Sequence, residues 1–219
     1  MAATGTGETG ENGAAADRGR HDDAAESAPL VLASGSRYRA AQLATLGLSF
    51  TSAAPGTDES ARRGEPPAAL AARLAAEKAR AVAVTRPGAV VVGGDQVAID
   101  AAGRRLDKPG STSAARGTLE RSSGRQATFL SAVHVVDGPG GREHAALVAT
   151  RVRFRTLTAS EIRRYVERDT PLDCAGAFKI ESLGIALFER VASDDPSALV
   201  GLPLIATARL LRACGFRLP

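Results

Sequence analysis

Tryptophan is absent from this 219-residue chain, aromatic residues make up 4% of it, and it has only two cysteines, three histidines and one methionine. With so few rings, alanine and the aliphatics must fill the core, and a hydrophobic content of 44% is enough for one ordinary domain or two small lobes. Cys174 and Cys214 lack metal-ligand spacing and read as ordinary thiols. No stretch approaches the run of about 18 apolar residues that would span a membrane. The opening segment has no basic start followed by an apolar core, which excludes an ordinary secretory signal. Thiols without a signal place the chain in the cytoplasm, with no membrane partner expected. Residues 1–28 have almost nothing to bury and are expected to be disordered, leaving 29–219 as the folded domain.

Lysine is also scarce: of 28 basic residues, only Lys78, Lys108 and Lys179 are lysines. In an arginine-rich chain each marks a place where a slim point charge suits better than a guanidinium fork. Beyond the acidic tail the chain carries 26 basic and 18 acidic residues. That excess suits phosphate-bearing partners. Its basic residues are scattered and not interleaved with aromatics, so nucleic acid is not the expected one.

The organising stretch is Ala89 to Asp100, AVVVGGDQVAID. Four apolar residues and a Gly-Gly pair read as a short strand that turns tightly and leaves Asp95 and Gln96 at its C-terminal end, where α/β proteins usually bind ligands. Taken alone, the strand favours the plainer reading of Asp95 as a capping or turn residue. Upstream, Leu30 to Ala33 is a strand, Ser34-Gly35-Ser36 a small-residue turn, and a helix continues to Leu46 before Gly47. Ser34, Ser36, Arg37 and Arg39 surround that helix opening with hydroxyls and positive charge, which suits a phosphate, although Ser36 followed by solvated arginines is an equal reading. Asp58 and Glu59 lie in a turn-rich loop. A helix then runs from Pro66 to about Val84, with Lys78 near its end either reaching a phosphate or facing water.

Further on, Asp100 to Gly103 is a turn, and Pro109 stiffens the backbone that carries Lys108. A short helix ends at Gly124. Thr128–Val136 and Ala145–Arg155 are strands whose connection is flanked by His134 and His144, which lack ligand spacing and read as structural. Thr158 opens a capping-box helix with Glu161. The segment GIALFERV reads as a strand and Pro203 opens the last helix.

Together the polar positions suit phosphoryl chemistry. Asp95 would orient or deprotonate water, Arg39, Lys78 and Lys108 would neutralise a triphosphate, and Glu59 would help hold Mg²⁺. Separated blocks in the same order, among them LVLASGSRYRA, GGDQV, LDKPGS, DCAGAFKIESLGIALFE and DDPSALVGLPL, resemble the Maf family of nucleoside triphosphate pyrophosphatases over about residues 29–216. The resemblance implies a Maf/ITPase-like α/β nucleotidase fold, with a central mixed sheet, two lobes and a cleft between them. It implies hydrolysis between the α and β phosphates of a nucleoside triphosphate with a divalent metal, Mg or Mn, held by Glu59 and Asp95, and Asp95 as the base. Ser34, Tyr38, Arg39, Lys78, Gln96, Lys108 and Glu181 are the expected substrate contacts. A homodimer is left open.

Tyr38, Gln96 and Glu181 resemble the 7-methyl-GTP branch rather than the dTTP/UTP branch. A methylated guanine is cationic, so a Tyr face offers cation–π stacking and the Glu181 carboxylate can accept the guanine N–H groups. Arg37, Asp107 and Ser131-Ala132 depart from the family pattern, and Asp107 is expected to compete for Lys108. A dTTP/UTP pyrophosphatase and a nucleotide-binding regulator of cell division stand as alternatives.

Overall fold

The computed structural model describes residues 28–219, so nearly all of the tail expected over 1–28 lies outside the described residues. A six-stranded mixed sheet in the order β2-β1-β3-β4-β5-β6 organises the protein. Its strands are β1 (Leu30–Ala33), β2 (Thr51–Ser52), β3 (Val90–Asp100), β4 (Gln126–Asp137), β5 (Arg142–Phe154) and β6 (Phe188–Ala192). β1 pairs in parallel with β2 and β3, whereas β3, β4, β5 and β6 pair antiparallel in succession. The helices are α1 (Arg37–Ala44), α2 (Pro67–Thr85), α3 (Thr112–Ser122), α4 (Ala159–Asp169) and α5 (Leu204–Ala213).

The continuous apolar runs of β1 and β3 follow from burial on both faces. Side chains alternate along a strand, so Val31, Ala33 and Val91 pack with Ala79 and Val82 of α2. Leu30, Leu32, Val90 and Val92 face the other way, towards Leu43 of α1 and Leu210 and Leu211 of α5. A second core forms at the far end of the long strands, where α3 and α4 cover Ala98, Phe129, Val152 and Phe154. Four of the six phenylalanines gather there: Phe129, Phe154, Phe178 and Phe188 make ring pairs with centroids 4.7–5.9 Å apart. The sparse aromatic content is therefore concentrated in one lobe, and the other is built mainly from alanine and the aliphatics, with Phe216 buried in it and Phe50 packed against it.

The Gly-Gly pair is not a turn. Gly93 and Gly94 lie within the eleven-residue β3, and Asp95 is its sixth residue rather than its last. The glycines serve close approach: a Cβ on Gly93 would sit 2.2 Å from the Ala75 carbonyl oxygen of α2, and one on Gly94 would sit 3.3 Å from Arg39 Cδ. The segment GIALFERV also differs from the expected single strand. Leu183–Leu187 is a 3₁₀ turn, and only Phe188–Ala192 pairs as β6. Its Gly184 packs so tightly on the Lys179 backbone that a Cβ would lie 2.3 Å from that carbonyl oxygen, which closes the turn before pairing begins. The capping box of α4 forms as its spacing predicts, with Thr158 accepting from the Glu161 N–H and Glu161 accepting from the Thr158 N–H.

Candidate active site

A cleft of about 810 Å³ opens between the two cores, and all nine sequence-predicted site residues line it: Ser34, Tyr38, Arg39, Glu59, Lys78, Asp95, Gln96, Lys108 and Glu181. The register explains how Asp95 and Gln96, which point to opposite faces of β3, reach one space. β1 stops at Ala33, paired with Gly93. Beyond that pair the β1-side edge of β3 is uncovered, and both faces open onto the same cleft. The alternation of side chains is not broken; the neighbouring strand ends.

Asp95 is buried beneath α2, where Lys78 Nζ donates to its Oδ1 at 2.7 Å. Lys78 is itself only 4% exposed, so the reading in which it faces water fails. Its aliphatic stem shares the buried side of α2 with Leu74 and Ala75. The same ammonium lies 2.6 Å from Glu59 Oε1. Burial raises the Asp95 pKa above the ordinary carboxylate value, and the charges of Lys78 and Arg39 offset it only in part. Burial pushes Glu59 the same way, but it is more exposed, and its hydrogen bond and charge contact with Lys78 win, so its pKa falls below the usual value. Two carboxylates around one ammonium are thus driven apart in acidity, a recurring arrangement where one acid must act as a base.

The loop that delivers Glu59 is pinned from α2. Arg73 donates to the Ser60 carbonyl at 3.0 Å and to Glu65 Oε1 at 2.6 Å. Asp58 accepts from the Ser60 N–H at 2.9 Å, as a turn cap, and lies outside the cleft. At the head of α1, Ser36 is the N-cap and Ser34 Oγ accepts from the Ser36 N–H at 3.1 Å. Arg39 donates through Nε to the Gly201 carbonyl at 2.9 Å, with Nη1 3.5 Å from Ser34 Oγ. Its guanidinium is thereby fixed beside Gly94, close enough to Asp95 and Glu59 for both to act on it electrostatically.

Gln96 Nε2 is held by Ser131 Oγ at 2.9 Å and by the carbonyls of Ala198 and Leu199 at 3.0 and 3.2 Å. The Ser131 hydroxyl also donates to the Ala198 carbonyl at 2.7 Å, so this departure from the family pattern ties β4 to the turn at Pro196–Val200. Lys108 extends into the cleft, and Asp107 pairs with Arg105 Nε at 2.6 Å rather than with Lys108. Lys179 lies elsewhere: its Nζ donates to the Asp169 carbonyl at 2.6 Å and caps α4.

Sequence reasoning missed the support of Tyr38. Its hydroxyl donates to the Asp173 carboxylate at 3.2 Å and accepts from Arg37 Nη2 at 2.8 Å, while the Arg37 guanidinium stands 4.8 Å from the ring centroid. One face of the ring is thus engaged by the chain's own cation. Burial, more than any neighbour, raises the Tyr38 hydroxyl to about 12, which keeps it a donor near neutrality. The signal available in the sequence was Asp173 beside Cys174 in the DCAGAF block, where only the block and not the acid had been given meaning.

The all-oxygen pair Glu59 and Asp95 fits a hard divalent cation: each puts one carboxylate oxygen on Lys78 and has a second to offer. No helix of the described residues is long and apolar enough to cross a membrane.

A family model of Maf-like proteins matches residues 29–214. A protein of Xanthomonas oryzae pv. oryzae (strain MAFF 311018) named 7-methyl-GTP pyrophosphatase is 54% identical over 190 residues, covering 87% of this chain and 98% of that protein. Proteins of the same name from Aromatoleum aromaticum and Bordetella pertussis are each 50% identical, covering 87% and 85% of this chain and 97% and 92% of those proteins.

Proposed function

The chain belongs to the Maf-like family, and we propose that it is a nucleoside triphosphate pyrophosphatase acting on 7-methyl-GTP or a similar modified nucleotide, with residues 29–219 as the catalytic domain. The observation that carries this reading is Asp95, a buried carboxylate with raised pKa, set between Lys78 and Arg39 in a cleft that also holds Glu59 and Lys108.

In this mechanism Lys78, Arg39 and Lys108 bind and orient the triphosphate, and Ser34 with the head of α1 meets its oxygens. Asp95 takes a proton from a water placed against the α-phosphorus. A new bond forms from that water oxygen to phosphorus, the bond from the α-phosphorus to the α–β bridging oxygen breaks, and pyrophosphate leaves with its charge balanced by the three cations. Glu59 and Asp95 would hold Mg²⁺ or Mn²⁺, which when bound neutralises phosphate oxygens and acidifies water. The two free cysteines suit a reducing compartment such as the cytoplasm.

For the base, Glu181 is exposed at the cleft and offers a carboxylate to the guanine N–H groups and its positive charge. Tyr38 offers the ring face that Arg37 does not cover. Gln96 has its amide nitrogen committed to the Pro196–Val200 turn, so it shapes the wall and presents Oε1.

The test is release of pyrophosphate from a panel of canonical and modified triphosphates with Mg²⁺ or Mn²⁺. Highest kcat/KM is expected on 7-methyl-GTP, with a loss on the order of 10²–10⁴-fold in Asp95→Asn. Preference for dTTP or UTP would move the chain to the other branch, and tight binding without turnover would make it a regulator.

A further inference from the structure

At the other end of the sheet, three side chains that are distant in sequence meet. Asp137 ends β4, His144 follows in β5, and Cys214 is the C-cap of α5. The register pairs Asp137 with Arg142 and Val135 with His144, so Asp137 and His144 are neighbours on the hairpin surface. Val135 of that surface and Cys214 pack in the same cluster beneath α5. A ligand atom from each of Asp137, His144 and Cys214 lies within 4.8 Å of the other two. Asp95 pairs with Ala132 on β4, five residues from Asp137 and hence about 17 Å away at ~3.4 Å per residue. The cluster is separate from the cleft.

Two further observations point to a ligand. His144 Nε2 is shut off from solvent and has no hydrogen-bond partner among the described residues, a state that buried polar atoms seldom keep. The Asp137 side chain is only 4% exposed, yet beyond the Gly140 N–H at 2.9 Å its charge is met by a 3.3 Å contact from Arg142, whose side chain is 60% exposed. Sulfur, nitrogen and oxygen donors together select borderline divalent ions such as Zn²⁺, whereas Mg²⁺ takes oxygen.

We propose that Asp137, His144 and Cys214 form a second metal site, for Zn²⁺-class ions, that ties the β4–β5 hairpin to the C-terminal end of α5. Binding expels the Cys214 thiol proton to solvent, and water completes a four-coordinate shell. Spacing along the chain conceals the site because its ligands come from a hairpin and a distant helix end.

The experiment titrates full-length, chelator-stripped protein with Co²⁺ in excess Mg²⁺, following thiolate-to-cobalt charge-transfer absorption, and then displaces the ion with Zn²⁺. One equivalent is expected to give the band and Zn²⁺ to abolish it. Cys214→Ser should lose the band, His144→Gln should weaken binding at least tenfold, and Cys174→Ser should keep both band and affinity. Zn²⁺ should also raise the melting temperature of the wild type but of neither Cys214→Ser nor His144→Gln, which guards against misfolded variants. A missing band, a band that survives Cys214→Ser or follows Cys174, full affinity in His144→Gln, or a wild-type melting temperature indifferent to Zn²⁺ would each overturn the assignment.

Discussion

Lys78 Nζ and Asp95 Oδ1 lie 2.7 Å apart inside the protein, with side chains 5% and 9% exposed. Breaking such a pair leaves one charge buried without a partner, which costs about 3–5 kcal/mol. Lys78→Met is therefore expected to unfold at clearly lower denaturant. It also removes the strongest influence holding the Asp95 pKa down, so the acid limb of the kcat/KM profile should move to higher pH. Comparing pH–rate profiles of the two proteins decides this, and an unmoved limb would show that Lys78 does not tune the base.

Asp95 itself carries a sign that separates stability from function. Its pKa is raised in the folded protein, first by burial, so the native state holds this proton more tightly than the unfolded chain does. The group's stabilising contribution is present below its ordinary pKa and is lost as pH rises through the folded value. Near neutrality the ionised carboxylate is a liability that Asp95→Asn removes, and Lys78 is not stranded in this variant because Glu59 Oε1 still lies 2.6 Å from its Nζ. The variant should lose pyrophosphatase activity yet melt no lower than the wild type at neutral pH, with the difference moving in favour of the wild type as pH falls. Melting curves across the acidic range test both halves.

The two glycines before Asp95 should respond differently to a methyl group. In Gly93→Ala the Cβ would stand 2.2 Å from the Ala75 carbonyl oxygen and 2.7 Å from the Ala79 nitrogen, both backbone atoms of α2. Helix and sheet would have to separate, and a loss at or above the upper end of the usual 1–3 kcal/mol for overpacking is expected. In Gly94→Ala the nearest atoms are Arg39 Cδ and Leu202 Cδ1, both at 3.3 Å and both in side chains. Stability should change by less than about 1 kcal/mol, while displacement of Arg39 raises KM for the triphosphate. Chemical denaturation and steady-state kinetics on the pair give the contrast.

The sequence made some of this legible for identifiable reasons. The continuous apolar runs of β1 and β3, the Ser36 cap and the Thr158–Glu161 box are local, so neighbouring residues suffice to read them. The location of Asp95 within its strand was misread because Gly-Gly signals a turn as readily as it signals a helix pressing on a strand. That helix is held fourteen or more residues away, by Ala75 and Ala79 packing on Gly93. The destination of Lys78 was likewise open, since only the fold shows that α2 points it at β3 rather than at water. Asp107 was expected to compete for Lys108, but the chain's bend at the Ile99–Arg105 bridge brings Arg105 to it instead.

Two acids of the cleft are predicted to affect substrate choice in different ways. Glu181 is exposed at the cleft and makes no ion pair among the described residues, so its carboxylate is available to a cationic base. Hydrogen bonds to charged groups are worth ~1.5–3 kcal/mol when well formed, and exposure to water reduces this. Glu181→Gln should accordingly lower the preference for 7-methyl-GTP over GTP by roughly tenfold, read as the ratio of kcat/KM values. Asp173 instead accepts from Tyr38 and pairs with Arg37 at 3.2 Å. Asp173→Asn loosens the ring and the arginine together, so KM should rise for both nucleotides while their ratio stays within about threefold, the size of a neutral-for-charged change in one exposed pair. If Asp173→Asn rather than Glu181→Gln shifts the ratio, the positive charge of the base is read from the Tyr38 side of the cleft.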